Sequence, residues 1–374
     1  MSTPPRVLFV SKPVVPPYHD GTKCLVRDVA TNLELVHPLV MATPGAAPLP
    51  GVEFVPVYRD SGSYSPALAE NARAAFALVA RRDADLWHFV FAPNPKSSVV
   101  GRALRRVLGK RVVQTVASPP RSFDAAESLL FGDVVVAQSR DTRTRLLAHA
   151  PARRIEVIPP PVPMLHPRTH AEKENVRERL LLPEEGPLYV YPGDIELGGG
   201  AEHVARMVEP LVRSEPDAIV VFAYRAKTPR AAGVARELEQ RLPARHVRLC
   251  ETLPDVLALI ERADAVLFPV EDLWGKVDMP IVLLESMRLG VPVVVLARGP
   301  LSEIAGALSL PSPEPESWVR LLTLLRREPG YAESVREAGR LYVAREHDAR
   351  VVARRYEELY VELCARPASR ARRA

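Results

Sequence analysis

The stretch ADAVLFPVEDLWGKVDMPIVLLESMRLGVPVVV, from Ala263 to Val295, contains two short apolar runs separated by a helical pattern. Short apolar runs that alternate with amphipathic helices are typical of parallel βαβ units, whose strands are buried on both faces. A carboxylate, Glu285, follows the apolar residues IVLL in the helical segment between them, and a buried strand does not explain it. The stretch therefore predicts an α/β fold and raises the question of what Glu285 binds.

The same alternation continues on both sides of this stretch. Strand-like runs are RVLFV, LVMAT, VEFVPV, LWHFVFA, RVVQTVA and DVVVAQS in the first part of the chain, and PLYVYPG, AIVVFAYR and HVRLCE in the second. At 374 residues the chain is too long for one ordinary core. Residues 159–177, between the two series, are proline-rich and polar, which is typical of a linker.

We therefore predict two Rossmann-like, doubly wound domains that face each other across a cleft. The first covers residues 1–164, a linker covers 165–186, and the second covers 187–364. The last helix could pack on either domain. The final segment, 365–374, has four arginines and no acid, which predicts a disordered basic tail.

Composition limits the kinds of function. No apolar run approaches the roughly 20 residues of a membrane span, and the N-terminal run RVLFV is too short for a signal peptide. The three cysteines lie far apart without metal-ligand spacing, which favours reduced thiols in a cytoplasmic protein. The net charge of +5 suits anionic partners. Aromatic residues are only 6% of the chain, which argues against binding to nucleic acid.

Two glycine-bearing loops could bind phosphate. The first precedes a predicted helix and contains Gly21 and Thr22, and the second contains Gly198, Gly199 and Gly200. Glycine allows close approach of an anion to free helix N–H groups. Neither loop has the Walker or the G-x-G-x-x-G spacing, so a flexible turn is the alternative for each.

Two cations follow the strand AIVVFAY. Arg225 and Lys227 lie at its predicted carboxyl end, where ligands of parallel sheets bind. Two positive charges there suit a diphosphate. A solvated surface pair is the alternative.

Two stretches of the chain resemble a known family. PIVLLESMRLGVPVV, residues 280–294, is similar to the second half of E-G-F-G-L-x-x-L-E-A-M-A-x-G-x-P-V-V, the pattern of retaining glycosyltransferases of family 4. DVVVAQSRDTRTRLL followed by IEVIPPPV resembles the end of that family's first domain. The resemblance implies the GT-B architecture and transfer of a sugar from a nucleotide-sugar to an acceptor hydroxyl with retention of configuration.

The resemblance also implies roles for individual residues. Glu285 would bind the ribose hydroxyls of the donor. The other donor-side residues would be Ile281, Val282, Gly198, Gly199 and Gly200. The catalytic group would comprise Asp278, Lys276, Arg225 and Lys227, and the acceptor side Gly21, Thr22 and His88. No metal or other cofactor is expected, and the acceptor would be a glycan or a lipid-linked molecule.

The chain departs from the family at three places. The family's first glutamate falls on Val277, so its neighbour Asp278 could take over part of that role. The arginine and lysine that steady the diphosphate fall on Asp194 and about Gly198, and a histidine falls near Ala117. Besides a glycosyltransferase, two hypotheses stay open: a catalytically inactive nucleotide-sugar-binding subunit, and a GT-B nucleotide-sugar epimerase.

Two further patterns have alternative interpretations. The helical segment 97–109 is basic and amphipathic, so it could lie on an anionic membrane or pack on a sheet with a solvated face. Peripheral contact with the inner face of a membrane is therefore one hypothesis, and the sequence gives no oligomeric state. The triplet DAD, residues 83–85, precedes a strand of the first domain and is interpreted as loop acids rather than as a metal site.

Overall fold

A computed structural model describes residues 3–16, 18, 20–59 and 68–365. The predicted disordered tail therefore lies outside the described residues except for Ala365. The strands are β1 Arg6–Val10, β2 His37–Ala42, β3 Glu53–Pro56, β4 Leu86–Phe91, β5 Arg111–Val116, β6 Val134–Ala137, β7 Ile155–Val157, β8 Leu188–Tyr191, β9 Ile219–Tyr224, β10 Val247–Glu251, β11 Ala265–Phe268, β12 Val293–Leu296 and β13 Leu308–Leu310.

Helices follow most of these strands, as predicted, although β2 leads directly to β3 and three helices follow β13. The helices are α1 Gly21–Ala30, α2 Leu68–Ala80, α3 Pro95–Leu108, α4 Ala126–Leu129, α5 Arg140–His149, α6 His170–Arg179, α7 Gly200–Ser214, α8 Ala231–Arg241, α9 Val256–Ile260, α10 Ile281–Arg288, α11 Pro315–Arg327, α12 Pro329–Glu346 and α13 Ala349–Ala365. A short 3-10 helix covers Gly299–Glu303.

Contacts divide the chain into two compact units. The first unit comprises Met1–Pro163, Trp274–Asp278 and Glu346–Ala374, and the second comprises Met164–Leu273 and Met279–Arg345. The first unit therefore takes in a five-residue segment from the middle of the later sequence, as well as the C-terminal helix. Proximity along the chain could not have predicted the place of that five-residue segment.

The sheet of the first unit is parallel, with the order β3-β2-β1-β4-β5-β6-β7. The interior strand β1 pairs with β2 and β4, so that Leu8 lies beside Leu39 and Trp87. Helices cover both faces. On one face α13 contacts α1 and β5 and contributes the fully buried Tyr356 and Tyr360 to the core.

The sheet of the second unit has the order β10-β9-β8-β11-β12-β13, again parallel. This is the 3-2-1-4-5-6 order of a doubly wound sheet, and its connections reverse between β8 and β11. The edge strand β13 has only three residues, none of them fully buried, and this explains why the apolar pattern did not predict it. The predicted α/β class with two Rossmann-like units is confirmed.

The predicted linker contains helix α6. Its start is fixed by a capping box, in which Thr169 accepts a hydrogen bond from the Glu172 N–H and Glu172 accepts one from the Thr169 N–H. The T-x-x-E spacing that marks this helix was visible in the sequence. Among the described residues, no helix is both long and apolar enough to cross a membrane.

Candidate active site

Three neighbouring strands of the second unit, β9, β8 and β11, carry the loops that surround its switch point. Gly198–Gly200 lie between β8 and α7, and Arg225 and Lys227 follow β9. Because the strands are parallel, these loops emerge from the same edge of the sheet, where ligands of doubly wound sheets bind. The second unit thus gathers the glycine loop and both predicted cations at one edge.

Backbone conformation or close packing favours glycine at each of the three positions of the second loop. Gly198 and Gly199 have φ angles of 75° and 74°, a left-handed conformation that favours glycine. A Cβ on Gly200 would lie 2.6 Å from the Val270 side chain and 2.8 Å from the Tyr191 hydroxyl. Helix α7 therefore begins in close contact with the ends of two strands, and the loop is a specific structure rather than a flexible turn.

Lys227 is bound to the loop that follows β8. Its ammonium lies 2.8 Å from the Asp194 carboxylate, and both side chains are less than a tenth exposed. Glu196 accepts hydrogen bonds from the backbone N–H groups of Lys227 and Thr228 at 2.9 and 2.8 Å. Two carboxylates therefore fasten the β9 loop to the β8 loop. Asp194, at the family's arginine position, is the counter-ion of Lys227, while Arg225 lies half-buried one residue beyond β9.

Glu285 lies on α10, which begins after Pro280. Its helix is anchored by buried neighbours, including Ile281, whereas Glu285 and Val282 are half-buried. No acidic residue occurs in the first turn of α10, so the preference of acids for a helix N-terminus does not account for Glu285. Gly290, with φ of 78°, follows the end of this helix and allows the chain to turn into β12.

His203 and Glu271 flank the glycine loop and are not among the predicted site residues. The Glu271 N–H donates to the Gly198 carbonyl at 3.0 Å. The Nε2 of His203, on the first turn of α7, lies 3.5 Å from a Glu271 carboxylate oxygen. Arg298 donates to the other Glu271 oxygen at 3.2 Å. The sequence GGGAEH, residues 198–203, with a histidine four residues after Gly199, was the signal that could have identified His203.

The segment Trp274–Asp278 packs within the first unit. Asp278 is fully buried and accepts hydrogen bonds from the hydroxyls of Ser139 at 2.5 Å and Thr142 at 2.8 Å. Ser139 is also the N-cap of α5. The carboxylate of Asp278 is thus held at the start of this helix, and its contact with a transferred sugar stays a prediction.

The other residues of this segment are also packed. Lys276 is buried, and the guanidinium of Arg121 lies 4.7 Å from the centre of the Trp274 ring. A Cβ on Gly21 would lie 2.7 Å from a Val277 methyl group. Val277, at the family's glutamate position, therefore covers the first residue of α1, and Gly21 is small because of that contact.

The first glycine loop is capped by a protein carboxylate. Asp20 accepts hydrogen bonds from the N–H groups of Thr22 and Lys23 at 2.9 and 3.3 Å, and Lys12 lies 2.9 Å from its other oxygen. These are the N–H groups that an anion would use at the start of α1. Anion binding through these groups would require displacement of the Asp20 carboxylate.

His88 lies in the core of the first unit. It has no exposed surface, and its ring nitrogens contact Thr115 and Tyr360, each at 2.7 Å. Burial lowers the pKa of His88 to about 3, so the ring is neutral near pH 7. His88 therefore has the position of a core histidine, and an acceptor role has no support in this placement.

The remaining predicted positions are structural. Ala117 is fully buried. Asp83 forms an ion pair with Arg6 at 3.0 Å, and Asp85 accepts from the Arg6 N–H at 2.8 Å. Within the described residues no group of three or more His, Cys, Asp or Glu side chains could hold a metal ion. A surface hollow bordered by Arg177 and Arg248 lies at the amino ends of β9 and β10, away from the glycine loop.

The predicted site residues divide between the two units. Glu285, Ile281, Val282, the glycine loop Gly198–Gly200, Arg225 and Lys227 lie in the second unit, and Lys276, Asp278, Gly21, Thr22 and His88 lie in the first.

A model of a known protein family matches most of the second unit. Residues 172–342 match the family model described as "Glycosyl transferases group 1". A sequence comparison with curated proteins gave no match.

Several solved structures share the fold along nearly the whole chain. HepE of Anabaena in complex with UDP is 14% identical, with a TM-score of 0.71 over 96% of this chain and 100% of that one. A glycosyltransferase from Rickettsia africae is 16% identical, with a TM-score of 0.74 over 98% and 100%. Sucrose-phosphate synthase from Thermosynechococcus elongatus is 18% identical, with a TM-score of 0.72 over 96% and 99%. At such identities the likeness shows the fold alone. Residues 172–342 are therefore similar to the glycosyl transferases of group 1, and the chain has the GT-B fold.

Proposed function

We propose that the protein is a retaining glycosyltransferase that moves a sugar from a nucleotide-sugar to an acceptor hydroxyl. The observation that carries this is the half-buried Glu285 in the second turn of α10, within the region similar to group 1 glycosyl transferases. A carboxylate can accept two hydrogen bonds from a vicinal diol, and partial burial strengthens such bonds. Glu285 would bind the ribose, with Ile281 and Val282 beside it.

The diphosphate would bind at the start of α7. The close backbone of Gly198–Gly200 and the positive end of the helix dipole favour an anion there. Arg225 would supply positive charge to the leaving group, since Lys227 shares its charge with Asp194. HepE has been captured with UDP-glucose, which supports a search among uridine donors first.

The acceptor would be a glycan or a lipid-linked molecule bound by the first unit, in which Lys276 and Asp278 would serve the transferred sugar. The reaction would need no metal, and the protein would act in the cytoplasm. A screen of nucleotide-sugars and acceptors would identify the nucleobase and the sugar of the donor and the acceptor molecule.

One alternative is favoured by specific observations. Lys227 is paired with Asp194, Val277 occupies the family's glutamate position, and Asp278 is held by two protein hydroxyls. These contacts would suit a nucleotide-sugar-binding subunit without catalysis.

The test is turnover by the purified full chain. A panel of nucleotide-sugars would be incubated with glycan and lipid-linked acceptors, and release of nucleoside diphosphate would be measured with wild type and Glu285→Gln. The proposal is supported if release of nucleoside diphosphate depends on the acceptor and if NMR shows that the product keeps the anomeric configuration of the donor. Binding without turnover would favour the inactive subunit, and an acceptor-independent change of the donor sugar would favour an epimerase.

A further inference from the structure

Helix α3 directs several polar side chains toward the protein. Arg102 donates to the Ser128 carbonyl at 2.5 Å, Arg105 donates to the Phe131 carbonyl, and Ser98 donates to the Leu129 carbonyl at 2.8 Å. A helix that packs on a sheet normally buries its most apolar stripe. Here two arginines and a serine also bind backbone carbonyls at the end of α4 and just after it.

Valines occupy the opposite side of α3. Val99, Val100 and Val107 are 64%, 48% and 80% exposed, and Ala103 between them is also exposed. Positions 99, 100, 103 and 107 lie on one face of a helix. Helical spacing predicts an apolar face formed by residues 100, 103, 104, 107 and 108, but only Leu104 and Leu108 of these pack against the core.

Helix α2 extends the exposed apolar surface. Phe76 is 73% exposed and Val79 is 37% exposed, and α2 contacts α3. Both helices pack on the same face of the first sheet, since Leu78 of α2 and Leu104 of α3 belong to one core cluster. Their outer sides therefore face the same way. We call the outer side of these two helices the α2–α3 face.

The charge of this face indicates what covers it. Lys96 and Arg106 are exposed on the same side of α3 as the valines, and the helix from Pro95 to Leu108 contains no acidic residue. A contact between two copies through this face would place these cations near one another. An anionic lipid surface would instead attract them while accepting the apolar side chains.

From these observations we infer that the α2–α3 face docks the protein on an anionic lipid surface. Val99, Val107 and Phe76 enter the boundary between headgroups and acyl chains, and Lys96 and Arg106 contact the acidic headgroups. Docking through this face does not depend on the proposed glycosyl transfer, since it uses none of the donor-site residues.

The test is flotation of the full chain with vesicles of phosphatidylcholine alone or mixed with phosphatidylglycerol. Wild type is expected to bind the mixed vesicles, and less so at high salt. Val99→Ser with Val107→Ser should reduce binding severalfold, and Lys96→Gln with Arg106→Gln by on the order of tenfold. Both pairs are exposed, so circular dichroism should show the fold intact.

Two controls separate other sources of binding. Leu181→Ser with Leu341→Ser removes similarly exposed apolar side chains from the second unit (77% and 60% exposed) and should leave vesicle binding unchanged. Replacement of Arg366, Arg370, Arg372 and Arg373 by glutamine tests the basic tail. The inference is overturned if wild type does not bind mixed vesicles, or if the tail variant abolishes binding while the valine variant does not. It is also overturned if the protein is a dimer that the valine substitutions convert to a monomer.

Discussion

Glu285 is a carboxylate in the second turn of α10, directly after the four apolar residues 281–284. If it binds ribose, Glu285→Gln should weaken binding of a nucleoside diphosphate by about 1–3 kcal/mol, the range for loss of a charged hydrogen-bond partner. Thermal unfolding should change little because the side chain is half-buried. Calorimetry with UDP and other nucleoside diphosphates measures the effect, and Glu209→Gln, on the surface of the same unit, is the control. Equal affinities of the Glu285 variant and wild type would contradict the assignment.

The ion pair between Lys227 and Asp194 is a second feature of individual residues that can be tested. Both side chains are nearly buried, so Lys227→Met removes this counter-ion from the Asp194 carboxylate and should destabilise the second unit by about 3–5 kcal/mol. The double variant Asp194→Asn with Lys227→Met should recover a large part of this loss, as a double-mutant cycle in urea would show. Additive losses would mean that the two groups do not act as a pair.

Arg225 differs from Lys227 because it is the cation that the proposal assigns to the leaving diphosphate. Arg225→Ala should lower turnover by roughly tenfold to a thousandfold, the range for removal of one preorganised charge-stabilising group. Unfolding in urea is the control, since a catalytic loss should not be accompanied by a comparable loss of stability. Unchanged turnover would transfer the role to another group.

At the scale of elements, β4, β5 and α13 are joined by a buried chain of hydrogen bonds. Tyr360 contacts His88, His88 contacts Thr115, and Thr115 contacts Tyr356 at 3.2 Å. His347, next to α13, is also buried, and its Nδ1 contacts the Pro160 carbonyl. Burial lowers the pKa of His88 to about 3 and that of His347 to about 4.

These shifts predict acid sensitivity of the first unit. The unfolded chain binds a proton at each histidine below about pH 6.5, whereas folded His88 stays neutral down to about pH 3. Stability should therefore fall as the pH decreases from 6.5, by about 1.4 kcal/mol per pH unit for each histidine. Urea unfolding at pH 7 and pH 5 measures this slope, and His88→Gln should reduce it by the share of one histidine. A slope unchanged by His88→Gln would contradict the assignment.

At the scale of the whole molecule, the first unit is completed by the last helix. Tyr360 and Tyr356 of α13 are fully buried against strands near the N-terminus. Tyr360→Ala should destabilise the first unit by about 3–5 kcal/mol, as for loss of a large core side chain. Scanning calorimetry should show a lower transition for one unit, while nucleotide binding by the second unit persists. Loss of both transitions together would show that the units do not unfold independently.

The sequence by itself determined the alternation of strands and helices, because buried parallel strands are short apolar runs bounded by turns. It also located the second glycine loop and left its conformation open, and the structure gives Gly198 and Gly199 left-handed φ angles that favour glycine. The edge strand β13 was missed because its three residues carry no buried run. The start of α6 was missed although its capping box was readable.

Only the tertiary structure decided how polar residues are partnered. His88, Asp278 and Lys227 each looked like a site residue, yet their partners come from β5 and α13, from the start of α5, and from the β8 loop. The orientation of α3 was decided in the same way, since hydrogen bonds to the carbonyls of Ser128 in α4 and Phe131 after it turn Arg102 and Arg105 inward. Hydrophobic periodicity follows the local chain, whereas burial of a charge depends on groups that are distant in sequence.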